Sequence, residues 1–204
     1  SDSELSRIGY GAFGYCGIED FTIPENIYSM GQEIFTGCTK LIAVTFEADS
    51  RLENLAAWTF SGAEELRQIT FEEGSNLKNI ETRALEGLGK LQRVTLENCK
   101  RLTKVGNYVF KNASSLSEIT LPESLTEIGR YAFDGCINLS RLDMPEKLER
   151  IGRYAFLKDT KLNVYFKASE LPKNLEENWD YDILNYFLGI SDVKRSGNWE
   201  YALG

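Results

Sequence analysis

Histidine is absent from the 204 residues of this chain. Histidine is the side chain that most often acts as a general base at neutral pH, and it is a frequent zinc ligand. Its absence excludes the usual catalytic triads and most zinc sites. The sequence also lacks a glycine-rich phosphate loop, and no paired carboxylates stand in an apolar context that would raise their pKa. We therefore predict no enzymatic activity and no cofactor.

Long hydrophobic segments are absent as well. No apolar run approaches the roughly 18 residues needed to span a bilayer, and no signal peptide opens the chain, whose first residues are typical of a trimmed beginning. The 31 acidic and 23 basic side chains give a formal net charge of -8. Because an acidic protein repels phosphate at long range, we expect no nucleic-acid partner and no direct membrane insertion.

Cysteine is scarce, with four residues and no CxxC pair. A disulfide-stapled secreted miniprotein would contain more. Cys16, Cys38 and Cys136 occupy a repeated position that alanine or leucine fills elsewhere, which favours a small buried space-filler over a ligand. Cys99 lies in a lengthened loop, and we expect it to be the most exposed thiol.

The chain does contain one unit that recurs seven times, at intervals of 22 to 25 residues. Each unit has two apolar residues three positions apart and ends on a large apolar residue. The terminal residues of the units are Phe13, Phe35, Phe60, Leu85, Phe110, Phe133 and Phe156. A fixed period of this size is typical of a solenoid, in which each coil stacks on the one before it.

Within each unit the pattern predicts a strand and a second buried row. Ile119 and Leu121 alternate with polar neighbours, as in a strand with one buried face. Leu125 and Ile128 represent the second row, and the terminal phenylalanines are expected to stack as a buried spine. Gly129 and its counterparts follow the second row in five units, which indicates a turn with positive φ or a close backbone approach.

The clearest unit runs from position 133 to position 156. Its landmarks are Phe133, Cys136, Leu139, Leu142, Pro145, Leu148, Ile151, Gly152, Ala155 and Phe156. They resemble the BspA-like (Treponema-type) leucine-rich repeats of bacterial cell-surface proteins, and the resemblance covers residues 5 to about 166. It implies a secreted or cell-surface protein, adhesin-like or host-contacting, without enzymatic activity of its own.

We therefore predict an α/β-type repeat solenoid. The expected form is a right-handed leucine-rich repeat array of about seven coils over residues 1–166, with stacked short parallel strands joined by turn or short helical segments. Residues 167–204 are expected to form a capping segment, with a short helix near residues 183–188, followed by a linker or the start of a further module at residues 198–203.

An aromatic row is the main candidate binding site. Four side chains share the position two before the end of a unit, and an arginine precedes each of the last two. The predicted binding residues are Trp58, Tyr108, Tyr131, Tyr154, Arg130 and Arg153. Tyrosine, tryptophan and arginine are enriched in interface hot spots. Half-buried rings that stack for stability alone would produce the same pattern.

Glu47, Glu72 and Glu97 follow the predicted strand in three consecutive coils. Stacked like charges are unfavourable unless they splay into water or share a cation. Splayed, solvated carboxylates are the favoured interpretation, and a calcium site is the alternative, since such a site needs six or more oxygen ligands.

The leading hypothesis is a non-catalytic extracellular domain of a bacterium. It would bind a host or matrix protein, in adhesion or host contact, as a monomer. The alternatives are a structural spacer and an accessory domain of a larger secreted or surface protein. The repeat explains nearly every apolar residue as core, so the ligand itself is not predicted.

Overall fold

The computed structural model describes residues 5–183, 185–188 and 193–196, which form a stack of coils with two rows of strands. One row consists of β2 Asp20–Ile23, β4 Ala43–Phe46, β6 Gln68–Phe71, β8 Arg93–Val94, β11 Arg141–Met144, β13 Asn163–Phe166, β15 Asn185–Leu188 and β16 Val193–Ser196. The other consists of β1 Arg7–Ile8, β3 Ser29–Met30, β5 Asn54–Leu55, β7 Asn79–Ile80, β9 Lys104–Val105, β10 Glu127–Ile128, β12 Arg150–Ile151 and β14 Asn174–Leu175.

Strands of neighbouring coils pair in parallel, so the predicted parallel-strand solenoid is confirmed. The second row forms a six-stranded sheet in the order β14-β12-β10-β9-β7-β5, beside a separate β1-β3 pair. The first row forms two four-stranded sheets, β2-β4-β6-β8 and β11-β13-β15-β16, in which only β15 and β16 pair antiparallel. The strand predicted around Ile119 and Leu121 does not form, and the first row is interrupted there.

The α/β assignment and its helical segments are not confirmed. Within the described residues there is no α-helix, and the helical content is one 3₁₀ turn, η1 Leu96–Asn98. Coils carry positive φ both two before and two after the spine residue, as at Tyr131 (54°) and Gly135 (81°). Two left-handed residues only four positions apart leave no room for a right-handed helix between them. Each of these segments therefore folds as successive turns.

The phenylalanine spine is confirmed. Rings in adjacent coils stack with centroids 5.4 Å apart for Phe35 and Phe60 and 5.1 Å apart for Phe110 and Phe133. Leu85 continues the row between these two stacks and is fully buried. Burial of each large ring stabilises the fold by roughly 1.5–3 kcal/mol.

Of the two roles predicted for the repeated glycine, the structure shows the second, a close backbone approach. A Cβ on Gly129 would lie 2.5 Å from the carbonyl carbon of Gly106 and 2.6 Å from the amide nitrogen of Asn107. The left-handed backbone occurs elsewhere in the coil, at the aromatic position two before the spine. The glycine therefore lets successive coils approach, and it does not serve a left-handed turn.

The cysteines are free thiols. Cys38 is buried and its thiol donates a hydrogen bond to the carbonyl oxygen of Phe13 at 3.0 Å, as a space-filler would. The expectation that Cys99 is exposed is wrong. Cys99 is fully buried beside Ser75, and burial raises the pKa of its thiol to about 12. The lengthened loop turns inward at this residue through η1.

We predict that a maleimide reagent at pH 7.5 will modify Cys16 alone in the native protein. Cys16 is partly exposed, whereas Cys38, Cys99 and Cys136 are buried and so are protected from the reagent. Mass spectrometry should show one label under native conditions and four in guanidinium. Early labelling of Cys99 in native protein would contradict the buried loop.

Residues after Phe166 continue the stack. Trp179 is buried and makes edge contacts with the rings of Phe156 and Phe166, at centroid distances of 6.3 and 5.8 Å. The short helix expected near residues 183–188 is absent, because β15 extends the first row there. The boundary predicted at residue 166 stays a prediction, and the further module predicted at residues 198–203 lies outside the described residues.

Candidate functional site

The aromatic residues singled out in the sequence come together as one surface row, called here the aromatic strip. Its first five members, from Trp58 to Tyr154, occupy the same position in consecutive coils, and Tyr181 extends the row past Tyr154. The strip comprises Trp58, Arg83, Tyr108, Tyr131, Tyr154 and Tyr181. Trp58 and Tyr181 are 36% and 52% exposed, and the tyrosines between them are half-buried. The strip thus presents ring edges and hydroxyl groups to solvent.

Rings in the strip stack on one another along the solenoid. Tyr108 and Tyr131 are 5.0 Å apart with an interplanar angle of 4°, and Tyr131 and Tyr154 are 5.4 Å apart at 43°. Tyr181 meets Tyr154 edge-on at 5.8 Å. Because the ring faces are largely covered by their neighbours, a partner would contact the edges and the phenolic oxygens.

Cations complete the strip, and sequence reasoning missed two of them. The Arg83 guanidinium lies 4.9 Å from the Trp58 ring and 4.4 Å from the Tyr108 ring, so it fills the coil that lacks an aromatic residue. The ammonium group of Lys111 lies 5.3 Å from the Tyr108 ring and 5.7 Å from the Tyr131 ring. Arg83 occupies the aromatic position of its unit, which is the signal that could have identified it.

The two predicted arginines differ in their contacts. The Arg153 guanidinium lies 4.8 Å from the Tyr154 ring and donates a hydrogen bond to its hydroxyl at 3.2 Å, so Arg153 belongs to the strip. Arg130 is engaged instead by Glu176, with its Nε 2.6 Å from Oε2. Arg130 therefore serves mainly to bind the next coils together.

The backbone of the strip is strained. Trp58, Arg83, Tyr108, Tyr131 and Tyr154 all adopt φ between 54° and 61°. Residues other than glycine, asparagine and aspartate rarely adopt this conformation, which costs of order 1 kcal/mol or more at each position. Five consecutive coils nevertheless place large side chains there. Glu33 has the same φ at this position one coil earlier, so the turn itself requires it, and the strip differs in filling it with aromatic and arginine side chains.

Glu176 anchors the coil beside the strip. Its carboxylate accepts hydrogen bonds from Arg130 Nε and Arg150 Nη2, both at 2.6 Å, and from the main-chain amide of Arg153 at 3.1 Å. These bonds, led by the one from Arg130, hold the pKa of Glu176 at about 2. One carboxylate therefore ties three segments of the stack together.

We expect Glu176→Gln to lower the free energy of unfolding by about 1 kcal/mol at pH 7, the modest size reflecting solvent screening of the exposed arginines. Because the folded pKa lies below the unfolded value of about 4.3, this stabilisation is present above pH ~4 and is lost as the pH falls towards 2. Urea titrations should show wild type and variant converging near pH 2 and in 1 M NaCl. An equal difference at every pH would contradict the ion-pair role.

The predicted glutamate row is not gathered into a site. Glu47, Glu72 and Glu97 are exposed, Glu47 accepts a hydrogen bond from the amide of Glu25, and Glu97 lies 4.0 Å from Arg93. Across residues 5–183 and the two described strands beyond, no three acidic or cysteine side chains form a group that could hold a metal ion.

Two buried carboxyl groups, Asp134 and Asp159, correct the expectation that no paired carboxylates stand in an apolar context. Asp159 is fully buried, and neither of its oxygens makes a hydrogen bond of ordinary geometry. Burial, with the nearby charge of Asp134, raises the pKa of Asp159 to about 9. Asp159 occupies the repeated position of Cys136, so an aspartate at a space-filler position was the available signal.

Comparison with known proteins identifies the same repeat. A family model described as the BspA type leucine rich repeat region, in six copies, matches residues 6–99 and 90–178. A leucine-rich repeat protein from Eubacterium ventriosum is similar in structure, with a TM-score of 0.58 and 30% identity, over 62% of this chain and 33% of that one. No curated protein matches the chain at a significant level.

The pneumococcal vaccine antigen PcpA shares the fold, with a TM-score of 0.53 and 20% identity, over 88% of this chain and 51% of that one. The chain thus spans a third of the first solved relative and half of the second. Among the described residues, no helix has the length and apolar character that crossing a membrane requires.

Proposed function

The chain belongs to the BspA-type leucine-rich repeat family, and from that premise we propose that it is a non-catalytic domain that binds a protein partner outside the bacterial cell. Leucine-rich repeat arrays are extended scaffolds whose stacked coils form continuous binding surfaces. The aromatic strip is the proposed contact surface. Its composition of tyrosine, tryptophan and arginine is that of interface hot spots.

The observation that supports this proposal most strongly is the strained backbone beneath the strip. Asn178 occupies the same position in the following coil, with φ of 56°, so the turn accepts a residue with a lower backbone cost. Ring stacking offsets part of the backbone strain at Tyr108, Tyr131 and Tyr154. It does not account for Trp58, where Arg83 is the stacking partner and more than a third of the side chain is exposed.

The test is a triple variant, Tyr108→Asn, Tyr131→Asn and Tyr154→Asn. Asparagine is chosen because Asn178 shows that the turn accepts it. Binding is measured by biolayer interferometry against a panel of immobilised host-surface and matrix proteins. For any protein that binds the wild type, we expect the triple variant to lose at least about tenfold in affinity, as for removal of hot-spot residues.

A matched control carries Thr22→Ala, Thr45→Ala and Thr70→Ala on the strand face, and it should bind as the wild type does. Circular dichroism melting of each variant separates lost binding from lost folding. Unchanged binding by the folded asparagine variant would remove the strip from consideration. Failure of the wild type to bind any panel protein would favour the alternative role as a structural spacer.

A further inference from the structure

The interruption in the first row of strands leaves main-chain groups without partners. Residues 117–121 hold the position that forms a strand in neighbouring coils, yet the described residues provide no hydrogen bond to any of their main-chain N–H or C=O groups. The neighbouring strands are β8 on one side and β11 on the other. The second row stays continuous past this point, through β9 and β10. We call the gap between coils at residues 92–97 and 117–120 the seam.

Two side chains of the preceding coil account for the seam. The Thr95 hydroxyl donates a hydrogen bond to the carbonyl oxygen of Phe71 at 3.0 Å and accepts one from the amide of Phe71 at 2.7 Å. The Asn98 side chain donates to the same carbonyl at 2.8 Å. The chain then turns into η1 after Thr95 and presents no strand edge to the next coil. Thr45, at the equivalent position, lies within the intact strand β4.

The seam opens to solvent as a polar cavity of about 250 Å³. Glu97 and Glu118 stand on its two walls and are both exposed. The only ion pair that the described residues provide to these two carboxylates is a 4.0 Å contact between Arg93 and Glu97. The exposed Glu72 lies one coil away on the side of Glu97. Arg93 also lines the cavity, which therefore combines unpaired main-chain groups with two carboxylates and one guanidinium, a net negative charge.

We propose that the seam binds an extended, basic peptide segment of a partner protein. Main-chain groups without partners can bind an extended chain through hydrogen bonds, as a sheet edge does when a strand is added to it. Lysine or arginine side chains of the segment would reach Glu97 and Glu118, which supply charge complementarity. This site occupies a different position of the repeat from the aromatic strip and does not depend on it.

The probe is a fluorescent ten-residue peptide of alternating threonine and lysine. Its control has the same sequence with alternate amide nitrogens methylated, which removes main-chain donors and keeps the charge. Fluorescence anisotropy should show binding of the first peptide and an affinity at least about tenfold lower for the second. In hydrogen exchange, amides of residues 118–121 should exchange rapidly in free protein and slow when the first peptide binds, whereas those of β4 stay protected throughout.

Two charge-matched variants complete the test. Glu97→Gln with Glu118→Gln should weaken binding several-fold, and Glu146→Gln with Glu149→Gln, which removes the same charge elsewhere, should not. Equal affinity for the methylated and unmethylated peptides would overturn the proposal, since binding would then be electrostatic only. Protection of residues 118–121 in free protein equal to that of β4 would overturn it by showing that the seam is closed. Absence of binding by the unmethylated peptide would overturn it as well.

Discussion

Asp159→Ala is expected to raise the free energy of unfolding at pH 8 by about 3 kcal/mol, because a buried carboxyl group without a strong hydrogen bond is removed from the core. Asp159 is fully buried, and its oxygens make no hydrogen bonds of ordinary geometry. The same position holds Ala113 and Cys136 in the two preceding coils. Alanine therefore restores a residue that the repeat already accepts, and unlike cysteine it cannot form a disulfide with Cys136.

The effect should depend on pH in a defined direction. Burial raises the pKa of Asp159 to about 9, whereas the unfolded value is about 3.9. The folded protein retains the proton between these values and the unfolded chain releases it. The contribution of Asp159 to stability should therefore be greatest below pH ~4 and should fall by up to about 1.4 kcal/mol per pH unit as the pH rises towards 9.

Neighbouring charged groups also affect the pKa of Asp159. Asp134 and Asp182 oppose its ionisation, and the main-chain amides of Cys136 and Gly135 favour it. Lys111 and Lys158 lie 3.4 and 3.6 Å from the two oxygens of Asp134 and partly balance that charge. Urea titrations of wild type, Asp159→Ala and Asp159→Asn at pH 5 and pH 8 separate ionisation from polarity. An equal change in stability between the two pH values in all three proteins would show that Asp159 does not carry the dependence.

Gly129→Ala is expected to destabilise the fold by about 3 kcal/mol, the upper range for overpacking a tight interior. The added Cβ would lie 2.5 Å from the backbone of Gly106, and backbone of an adjacent coil cannot move aside as a flexible side chain can. The φ of Gly129 lies outside the left-handed region, so backbone strain does not contribute. The predicted loss is therefore a direct measure of how closely the coils approach.

Gly9→Ala is the matched control. Gly9 holds the same position of the repeat in the first unit, yet a Cβ there would meet nothing within 4 Å. Alanine at this site should leave stability unchanged or raise it by about 0.5 kcal/mol, through the lower entropy of the unfolded chain. Thermal and urea unfolding of both variants measure the two changes in stability. Similar losses for the two glycines would mean that close approach is not what this position provides.

Most of the repeat could be predicted from the sequence because its landmarks report burial directly. The phenylalanine spine, the second apolar row and the space-filling Cys38 and Cys136 are found where the period placed them. The predictions that were wrong concern local departures from the repeat. Cys99 was expected in an exposed loop, and Ile119 and Leu121 were expected in a strand. Both errors follow from the turn after Thr95, whose hydroxyl takes the hydrogen bonds of Phe71.

The candidate site was predicted only in part. The shared register of Trp58, Tyr108, Tyr131 and Tyr154 was visible in the chain, since equal spacing aligns residues in a stack. The strain beneath these residues was not visible, because φ depends on how the coil closes. The insertion of Arg83 between two rings likewise required coordinates of neighbouring coils.

Periodicity alone was enough for the solenoid and its buried rows, because a repeated burial pattern has one simple way to exclude water. The separation between coils, in contrast, is decided by contacts among residues about 25 positions apart. Those contacts place Gly129 against the preceding backbone, bury Asp159 and open the seam between residues 92–97 and 117–120. Each depends on distances of a few tenths of an ångström between coils, which no pattern of residue types along one chain specifies.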